Sequence, residues 1–241
     1  MAAALLLSGH LRDACEAGAA ALHEQAARCR AAFHATRCDV FLHTWDLHDA
    51  ATPRPSLACA AALARSLPLA ALTVEHQETR LLNMSARWRA SPRAYEAFRL
   101  NVAGMLGAVE LMRLHAAHSR GSYAAAVRLR VDIGSPRVLR LVNGTLPAAA
   151  WAAVAAAAAA PPRERQLRAC SRTKRPGGAA ADNCMWSAPV EPLVATLLAL
   201  REQFDALSTS TRGCLHAGHP ESLVRCAARL AGVVGKPLVG A

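Results

Sequence analysis

The stretch that most constrains the fold is residues 124–133, AAAVRLRVDI, in which charged residues interrupt an apolar run. Short apolar runs that include β-branched residues are typical of strands buried on both faces of a parallel sheet. Because side chains alternate along a strand, Arg128, Arg130 and Asp132 are predicted to share one face. The turn-forming residues 134–136, GSP, then end the strand. The sequence therefore predicts a buried strand that carries charge to its carboxyl end.

The charges at the end of this strand have two interpretations. Ligands of open α/β sheets bind beyond the carboxyl ends of the strands, where Arg130 and Asp132 could meet a phosphate, a metal ion or a sugar hydroxyl. Alternatively, Arg130 and Asp132 form a partly buried ion pair that only fixes a loop. The strand by itself leaves both interpretations open.

Further strands and helices are predicted to alternate along the first half of the chain. Apolar runs predict strands at residues 2–7, 38–45 and 69–74. Alanine-rich or amphipathic segments predict helices at residues 13–36, 56–67 and 93–119, and residues 52–55 read as a turn. This order predicts a βαβ start and, over residues 1–241, a single α/β domain with a mostly parallel sheet.

The second half of the chain is less regular. We predict a short strand at residues 139–142, helices at 192–207 and 222–230, and a last strand at 233–239. A low-complexity insert and a basic loop are predicted at about residues 147–181, between the strand at 139–142 and the helix at 192–207. Its polyalanine part, 151–160, is predicted to be a surface helix, and its basic part, 163–181, a mobile loop.

Charge and cysteine content bear on partners and compartment. The formal net charge of +11 favours anionic partners such as nucleic acid, phosphorylated small molecules or acidic membrane. The eight cysteines include no C-x-x-C pair, and we expect mostly free thiols, although an even number also permits disulfides in a secretory compartment. No stretch approaches the ~20 apolar residues of a membrane span, so we expect a soluble protein. The secretory pathway or Golgi lumen fits if the N-terminus is truncated.

Several motifs occur in an informative order. The first strand ends in SGHLR (residues 8–12), the second reads DVFLHTW (39–45), and YAAAVRLRVDI (123–133) follows the long helix. Asp182 then precedes a helix, and Pro220-Glu221 opens the last one. In this order the motifs, spread over about residues 4–235, resemble the nucleotide-diphospho-sugar transferase-like proteins of the GT-A glycosyltransferase type.

The resemblance implies a Rossmann-like, GT-A-type fold, with a mostly parallel sheet flanked by helices. It implies a nucleotide-sugar donor bound at the carboxyl edge of the sheet and a glycan, lipid or protein acceptor. Asp182 or Glu221 would then be the base for an acceptor hydroxyl if the enzyme inverts, whereas a retaining enzyme needs none. The donor-binding residues implied are Ser8, Gly9, His10, Arg12, His43, Trp45, Arg128 and Arg130.

The family's metal motif is altered in this chain. The resemblance implies Mn²⁺ or Mg²⁺ held by a D-x-D motif, because two carboxylates at i and i+2 face the same way and hard cations prefer oxygen ligands. Here the motif reads Arg130-Val131-Asp132, which leaves Asp132 as the only carboxylate. Arg128 or Arg130 could neutralise the diphosphate instead, since a guanidinium binds phosphate through two parallel hydrogen bonds.

Three other classes of function fit some features of the sequence and not others. The lone Asp132 also suits a catalytically inactive relative that binds a nucleotide or a glycan. The positive charge would suit a nucleic-acid-binding domain, but the sequence has neither an RNP-like aromatic strand nor zinc-finger spacing. A dinucleotide cofactor is disfavoured because no G-x-G-x-x-G follows the first strand.

Overall fold

The structure of this protein is a computed structural model with all side chains. It describes residues 2–12, 14–16, 18–34, 37–49, 52–77, 92–132, 146–160, 166–169, 184–203 and 220–237.

Within these residues, seven strands form one mixed sheet in the order β5-β2-β1-β6-β8-β7-β9. The neighbours β1–β2, β1–β6, β2–β5 and β7–β9 are parallel, whereas β8 runs antiparallel to both β6 and β7. The predicted mostly parallel α/β sheet is thus confirmed. Its strands are β1 (Ala2–Ser8), β2 (Arg37–Trp45), β5 (Leu69–Glu75), β6 (Tyr123–Arg130), β7 (Gln166–Ala169), β8 (Cys184–Ser187) and β9 (Val234–Pro237).

Helices cover both faces of the sheet. They are α1 (Ala19–Ala32), α2 (Leu57–Ser66), α3 (Pro92–Ser119), α4 (Ala148–Ala159), α5 (Glu191–Glu202) and α6 (Pro220–Leu230). Buried side chains of α1, α2 and α4 join one apolar core, and those of α3, α5 and α6 join the other. The flanking helices follow from the sequence, because a parallel sheet must be covered on both faces.

Strand β1 lies between β2 and β6 and is buried on both faces. Every side chain from Ala3 to Leu7 is fully buried, with Leu5 and Leu7 in the core beneath α1 and Leu6 in the core beneath α3. Burying one leucine contributes roughly 1.5–3 kcal/mol, so a polar substitution at any of these leucines would weaken the core on the face where its side chain lies.

Most predicted elements of the first half are confirmed within a residue or two, but α1 spans Ala19–Ala32 rather than residues 13–36. The turn predicted at 52–55 is wrong. Thr52–Pro55 forms β4, which pairs antiparallel with β3 (Leu47–Asp49) in a separate two-stranded ribbon. Proline and threonine occur both in turns and in edge strands, so composition does not distinguish the two. The pairing with Leu47–Asp49 makes this segment a strand. The strand predicted at 139–142 lies outside the described residues.

The alanine-rich segment is a helix, but not the predicted surface helix. Trp151 and Val154 of α4 are buried against α1, and the Trp151 Nε1–H donates to Gln25 Oε1 at 3.1 Å. Two large apolar residues three positions apart give the helix a packing face, which the surrounding alanines obscure in the sequence. Within the predicted mobile loop, Gln166–Ala169 is strand β7 of the sheet, and the other residues of that loop lie outside the described parts.

The expectation of mostly free thiols is wrong. Cys15 pairs with Cys59, and Cys29 pairs with Cys38. Cys184 and Cys226 are also disulfide-bonded, and no cysteine in the described part of the chain is free. The first two bridges could not be predicted from the sequence, because each joins cysteines of different segments. These cysteines come together only when α1 and α2 pack against the sheet.

Candidate functional site

The order of the parallel strands gives the sheet a topological switch point between the carboxyl ends of β1 and β6, henceforth the β1–β6 crevice. From β1 the chain moves outward to β2 and then β5, and α3 brings it back to β6 on the other side of β1. The direction of winding therefore reverses between β1 and β6. In open α/β sheets this reversal is where ligands bind, because the loops on either side diverge there. The SGHLR and RVD motifs end these two strands.

The turn after β1 has a special backbone conformation. Gly9 has φ +120°, a value that favours glycine, and its N–H donates to the His43 carbonyl at 3.3 Å. The Thr44 hydroxyl donates to the Gly9 carbonyl at 2.9 Å, and the Val131 N–H donates to the Ser8 carbonyl at 3.1 Å. The turn is thereby attached to the ends of β2 and β6.

Asp132 accepts hydrogen bonds from two arginines at this crevice. Arg130 donates from Nε to Oδ1 and from Nη2 to Oδ2, both at 2.8 Å, and Arg12 Nη1 donates to Oδ2 at 2.8 Å. The Asp132 side chain is only 3% exposed, whereas Arg12 and Arg130 are each 22% exposed. Burial alone would raise the pKa of Asp132, but the two guanidiniums outweigh it and hold this pKa below its ordinary value.

A third guanidinium lies beneath this pair. Arg128 is fully buried; its Nε donates to the Ser8 hydroxyl at 3.0 Å, and its Nη2 donates to Asn101 Oδ1 on α3 at 2.6 Å. Ser8 lies opposite Arg130 in the register of β1 and β6. Arg12, Arg128, Arg130 and Asp132, henceforth the arginine cluster, carry three positive charges and one negative charge; Arg12 and Arg130 bind the carboxylate, and Arg128 binds Ser8 and Asn101. The cluster is therefore suited to an anion, because an arginine stays protonated even when buried.

A second polar group borders the crevice on the β2 side. His10 Nε2 donates to Gln77 Oε1 at 2.6 Å, the Gln77 N–H donates to Asp46 Oδ1 at 2.8 Å, and His76 Nδ1 lies 2.6 Å from Asp46 Oδ2. Burial by itself would raise the pKa of Asp46. The hydrogen bond from the Gln77 N–H and the contact with His76 have a larger opposite effect, so the pKa of Asp46 lies below its ordinary value. The sequence analysis missed Asp46 and Gln77, although Asp46 directly follows β2 and Gln77 is the second residue after β5.

His43 and Trp45 are buried under α3 rather than placed at the crevice surface. The His43 ring packs against the backbone of Gly107 and makes an edge-to-face contact with Trp45, with ring centroids 5.1 Å apart. Its Nε2 lies 3.3 Å from Glu75 Oε2. Desolvation lowers the pKa of His43 and outweighs the opposing effect of Glu75, so the ring is neutral at pH 7. These two predicted donor-binding residues therefore lie behind the crevice.

The structure brings six of the predicted site residues together at the β1–β6 crevice: Ser8, Gly9, Arg12, Arg128, Arg130 and Asp132. His10 lies beside them. Asp182 lies outside the described residues, and Glu221 is the second residue of α6, with its side chain outside them. Their predicted role as base stays a prediction.

The residues present do not suit a divalent cation as they stand. Both oxygens of Asp132 accept from guanidiniums, and cations repel one another at such a site. No group of three histidines, cysteines or carboxylates that could hold a metal occurs in the described ranges. We therefore derive no step through Mn²⁺ or Mg²⁺, and the metal implied by the sequence stays a prediction.

No family model matches the sequence, and no curated protein or solved structure is significantly similar to it. The resemblance to GT-A glycosyltransferases thus rests on the motifs alone. Among the helices that the structure describes, none is long and apolar enough to cross a membrane.

Proposed function

We propose that this protein is a glycosyltransferase of the GT-A type that binds a nucleotide-diphosphate sugar at the crevice between β1 and β6. One observation carries the proposal: at the point where the winding of the sheet reverses, two partly exposed guanidiniums bind a single carboxylate and a third guanidinium is buried beside Ser8. Guanidiniums are the preferred protein ligands of phosphate, and the crevice is where an α/β sheet binds a nucleotide. The SGHLR and HTW motifs support the same assignment.

In the proposed reaction, the diphosphate of the donor displaces Asp132 as a partner of the partly exposed Arg12 and Arg130. An acceptor hydroxyl attacks the anomeric carbon of the sugar, the bond from this carbon to the diphosphate oxygen breaks, and the nucleoside diphosphate leaves. Negative charge grows on the leaving oxygen, and the fixed guanidiniums stabilise it. The acceptor proton passes to Asp182 or Glu221 in an inverting enzyme. The acceptor class is a glycan, a lipid or a protein.

A second candidate is a relative that binds the nucleotide or a glycan without turnover. The observation that favours it is the double ion pair of Asp132, because it leaves no uncommitted carboxylate in the arginine cluster. Release of nucleoside diphosphate from UDP-, GDP-, CDP- and ADP-sugars, with and without an acceptor, separates the two. Binding without release supports the second candidate.

We further propose that the protein works in an oxidising compartment, such as the secretory pathway. The Cys15–Cys59 and Cys29–Cys38 bridges support this, because disulfides persist in secreted and lumenal proteins and are rare in the cytosol.

The decisive experiment is a thermal-shift panel of UDP, GDP, CDP and ADP, each with and without Mn²⁺. A nucleotide at about 100 times its Kd stabilises the folded state by roughly 2.7 kcal/mol. For a chain of this size the melting temperature then rises by about 5–10 °C. We expect one nucleotide to give this rise without Mn²⁺. A flat panel on a protein that melts cooperatively would overturn the proposal.

Two variants assign the binding to the arginine cluster. Arg130→Gln should abolish the nucleotide-dependent rise, because it removes a charge that faces the crevice. Arg113→Gln makes the same change of charge on an exposed residue near the carboxyl end of α3. The nucleotide-dependent rise in melting temperature should persist in this variant. Equal loss in both variants would point to non-specific attraction by the net charge.

A further inference from the structure

Four residues along the carboxyl edge are connected by contacts that cross three strands. His10, after β1, binds Gln77, after β5, with 2.6 Å between Nε2 and Oε1. The Gln77 N–H donates to the Asp46 carboxylate at 2.8 Å, and the Ser56 N–H donates to the Asp46 carbonyl at 2.8 Å. The Ser56 hydroxyl also donates to the Trp45 carbonyl. The start of α2 is thereby attached to the ends of β2 and β5.

A disulfide closes these contacts into a ring. Cys59 lies in the first turn of α2, three residues after Ser56, and it is bonded to Cys15 in the loop between β1 and α1. Cys15 is three residues from Arg12, and the intervening turn is closed by the Ala14 N–H, which donates to the Leu11 carbonyl at 2.6 Å. From Arg12 the chain leads back to His10. The ring therefore includes the residue that contributes one guanidinium to the arginine cluster.

Arg12 needs such support because its backbone is in an uncommon conformation. Its φ is +40°, in the left-handed region that side chains with a Cβ rarely adopt. Residues in such conformations persist when the surrounding structure holds them, and they occur often at binding sites. On one side the Asp132 carboxylate holds the guanidinium, and on the other the Cys15–Cys59 bridge holds the loop.

We propose that the Cys15–Cys59 disulfide is a positioning element of the anion site, which keeps Arg12 in its binding geometry. This inference rests on the proposed function, since it concerns the same arginine cluster. If the bridge is lost, the loop samples conformations in which Arg12 does not face the crevice. The apparent Kd then rises by the inverse of the fraction that remains competent.

The second disulfide is a matched control within the same chain. Cys29–Cys38 joins the last turn of α1 to the second residue of β2, at the amino end of the parallel strands. It shares the chemistry of the first bridge but lies at the opposite edge of the sheet from the arginine cluster. Its loss should therefore lower stability without changing the geometry of Arg12.

The test is calorimetric titration of the full chain with inorganic pyrophosphate. The proteins compared are the unmodified chain, Cys15→Ala/Cys59→Ala and Cys29→Ala/Cys38→Ala, each with and without Arg12→Gln. We expect the Kd to rise about tenfold when the Cys15–Cys59 bridge is lost and less than about twofold when Cys29–Cys38 is lost. Arg12→Gln alone should weaken binding at least about tenfold. In that background, removal of the Cys15–Cys59 bridge should have no further effect.

Each result is decisive. If the unmodified chain does not bind pyrophosphate, the proposed function fails and this inference fails with it. If it binds and Cys15→Ala/Cys59→Ala binds equally well, the inference alone is overturned. A further loss of affinity in the Arg12→Gln background would also overturn it, because the bridge would then act on the fold in general rather than through Arg12.

Ser56→Ala keeps the proposal testable if the bridgeless variant does not fold. This change removes one of the two hydrogen bonds that attach the start of α2, and with it Cys59, to the end of β2, and it leaves the Cys15–Cys59 bridge intact. We expect pyrophosphate binding to weaken about threefold, in line with the loss of one buried hydrogen bond that holds the start of α2. An unchanged Kd in the folded Ser56→Ala protein would contradict the proposal.

Discussion

The Nη1 atom of Arg12 lies 2.8 Å from the Oδ2 atom of Asp132, although 120 residues separate the two in sequence. The contact connects the turn after β1 with the end of β6 across the point where the winding of the sheet reverses. Arg130 completes the carboxylate's coordination through two parallel hydrogen bonds. The ion pair predicted from the RVD motif therefore exists, but it is part of a larger positive cluster at the position where open α/β sheets usually bind their ligands.

Asp132→Asn should destabilise the protein by about 3 kcal/mol, because it leaves two guanidiniums near the interior without their counter-charge. The measurement is urea unfolding at pH 7. Glu24→Gln is the control: it breaks an exposed carboxylate–arginine pair of 2.6 Å on α1 and should cost less than about 0.5 kcal/mol. Equal effects of the two variants would mean that Asp132 contributes no more than a surface ion pair.

The same variant separates two roles of Asp132 in binding. If the carboxylate only balances the arginines, folded Asp132→Asn should bind pyrophosphate at least as tightly as the unmodified chain, because a competitor for the guanidiniums is gone. We expect this result, measured by titration without metal. A loss of nucleotide binding that occurs only in the presence of Mn²⁺ would instead identify Asp132 as a metal ligand, as the sequence motif implied.

Gly107→Ala should destabilise the protein by about 2 kcal/mol or more. An added Cβ would lie 2.1 Å from His43 Cδ2, and the buried ring has no free space to move into. The better helix propensity of alanine, worth about 1 kcal/mol, is too small to compensate. Gly104→Ala is the control, because its Cβ would be 3.4 Å from the nearest atom. A smaller loss for Gly107→Ala than for Gly104→Ala would refute the packing of α3 on His43.

Stability should fall as the pH drops below about 6.5, because His43 is buried and neutral. Desolvation keeps its folded-state pKa below that of the unfolded chain, so the unfolded state binds the extra proton. The contribution is complete above pH 6.5 and is lost as the pH falls toward the folded-state pKa, with a slope of at most about 1.4 kcal/mol per pH unit. Urea unfolding between pH 5 and 8 measures it. His43→Gln should flatten this slope, whereas His23→Gln, at an exposed site on α1, should not.

The Cys15–Cys59 and Cys29–Cys38 disulfides should contribute unequally to the free energy of unfolding. Loop closure predicts about 4 kcal/mol for Cys15–Cys59, which closes a sequence separation of 44, and about 2.7 kcal/mol for Cys29–Cys38, with a separation of 9. Denaturant unfolding of the two paired cysteine-to-alanine variants checks the difference. The reverse order would show that strain or residual structure, rather than chain entropy, dominates.

The sequence alone was sufficient to predict the strands and helices whose apolar residues follow a local periodic pattern. The apolar runs at β1, β2, β5 and β6 and the long stripe of α3 were recognisable, because the periodicity of buried residues follows directly from strand and helix geometry. The grouping of six candidate site residues was predictable for a similar reason, whereas their role stays a prediction. Ser8, Gly9, Arg12, Arg128, Arg130 and Asp132 lie at strand ends, and parallel strands bring their carboxyl ends to one edge.

Other features depended on contacts between distant segments, and only the tertiary structure decided them. The polyalanine helix α4 belongs to the core because Trp151 is buried against α1 and donates a hydrogen bond to Gln25. The Cys15–Cys59 and Cys29–Cys38 bridges form because α1 and α2 pack beside the sheet. His43 was expected at the ligand but is covered by α3, whose glycines allow close approach. Local periodicity determines which residues form strands and helices, whereas the partner of each charge and thiol depends on which segments the folded chain brings together.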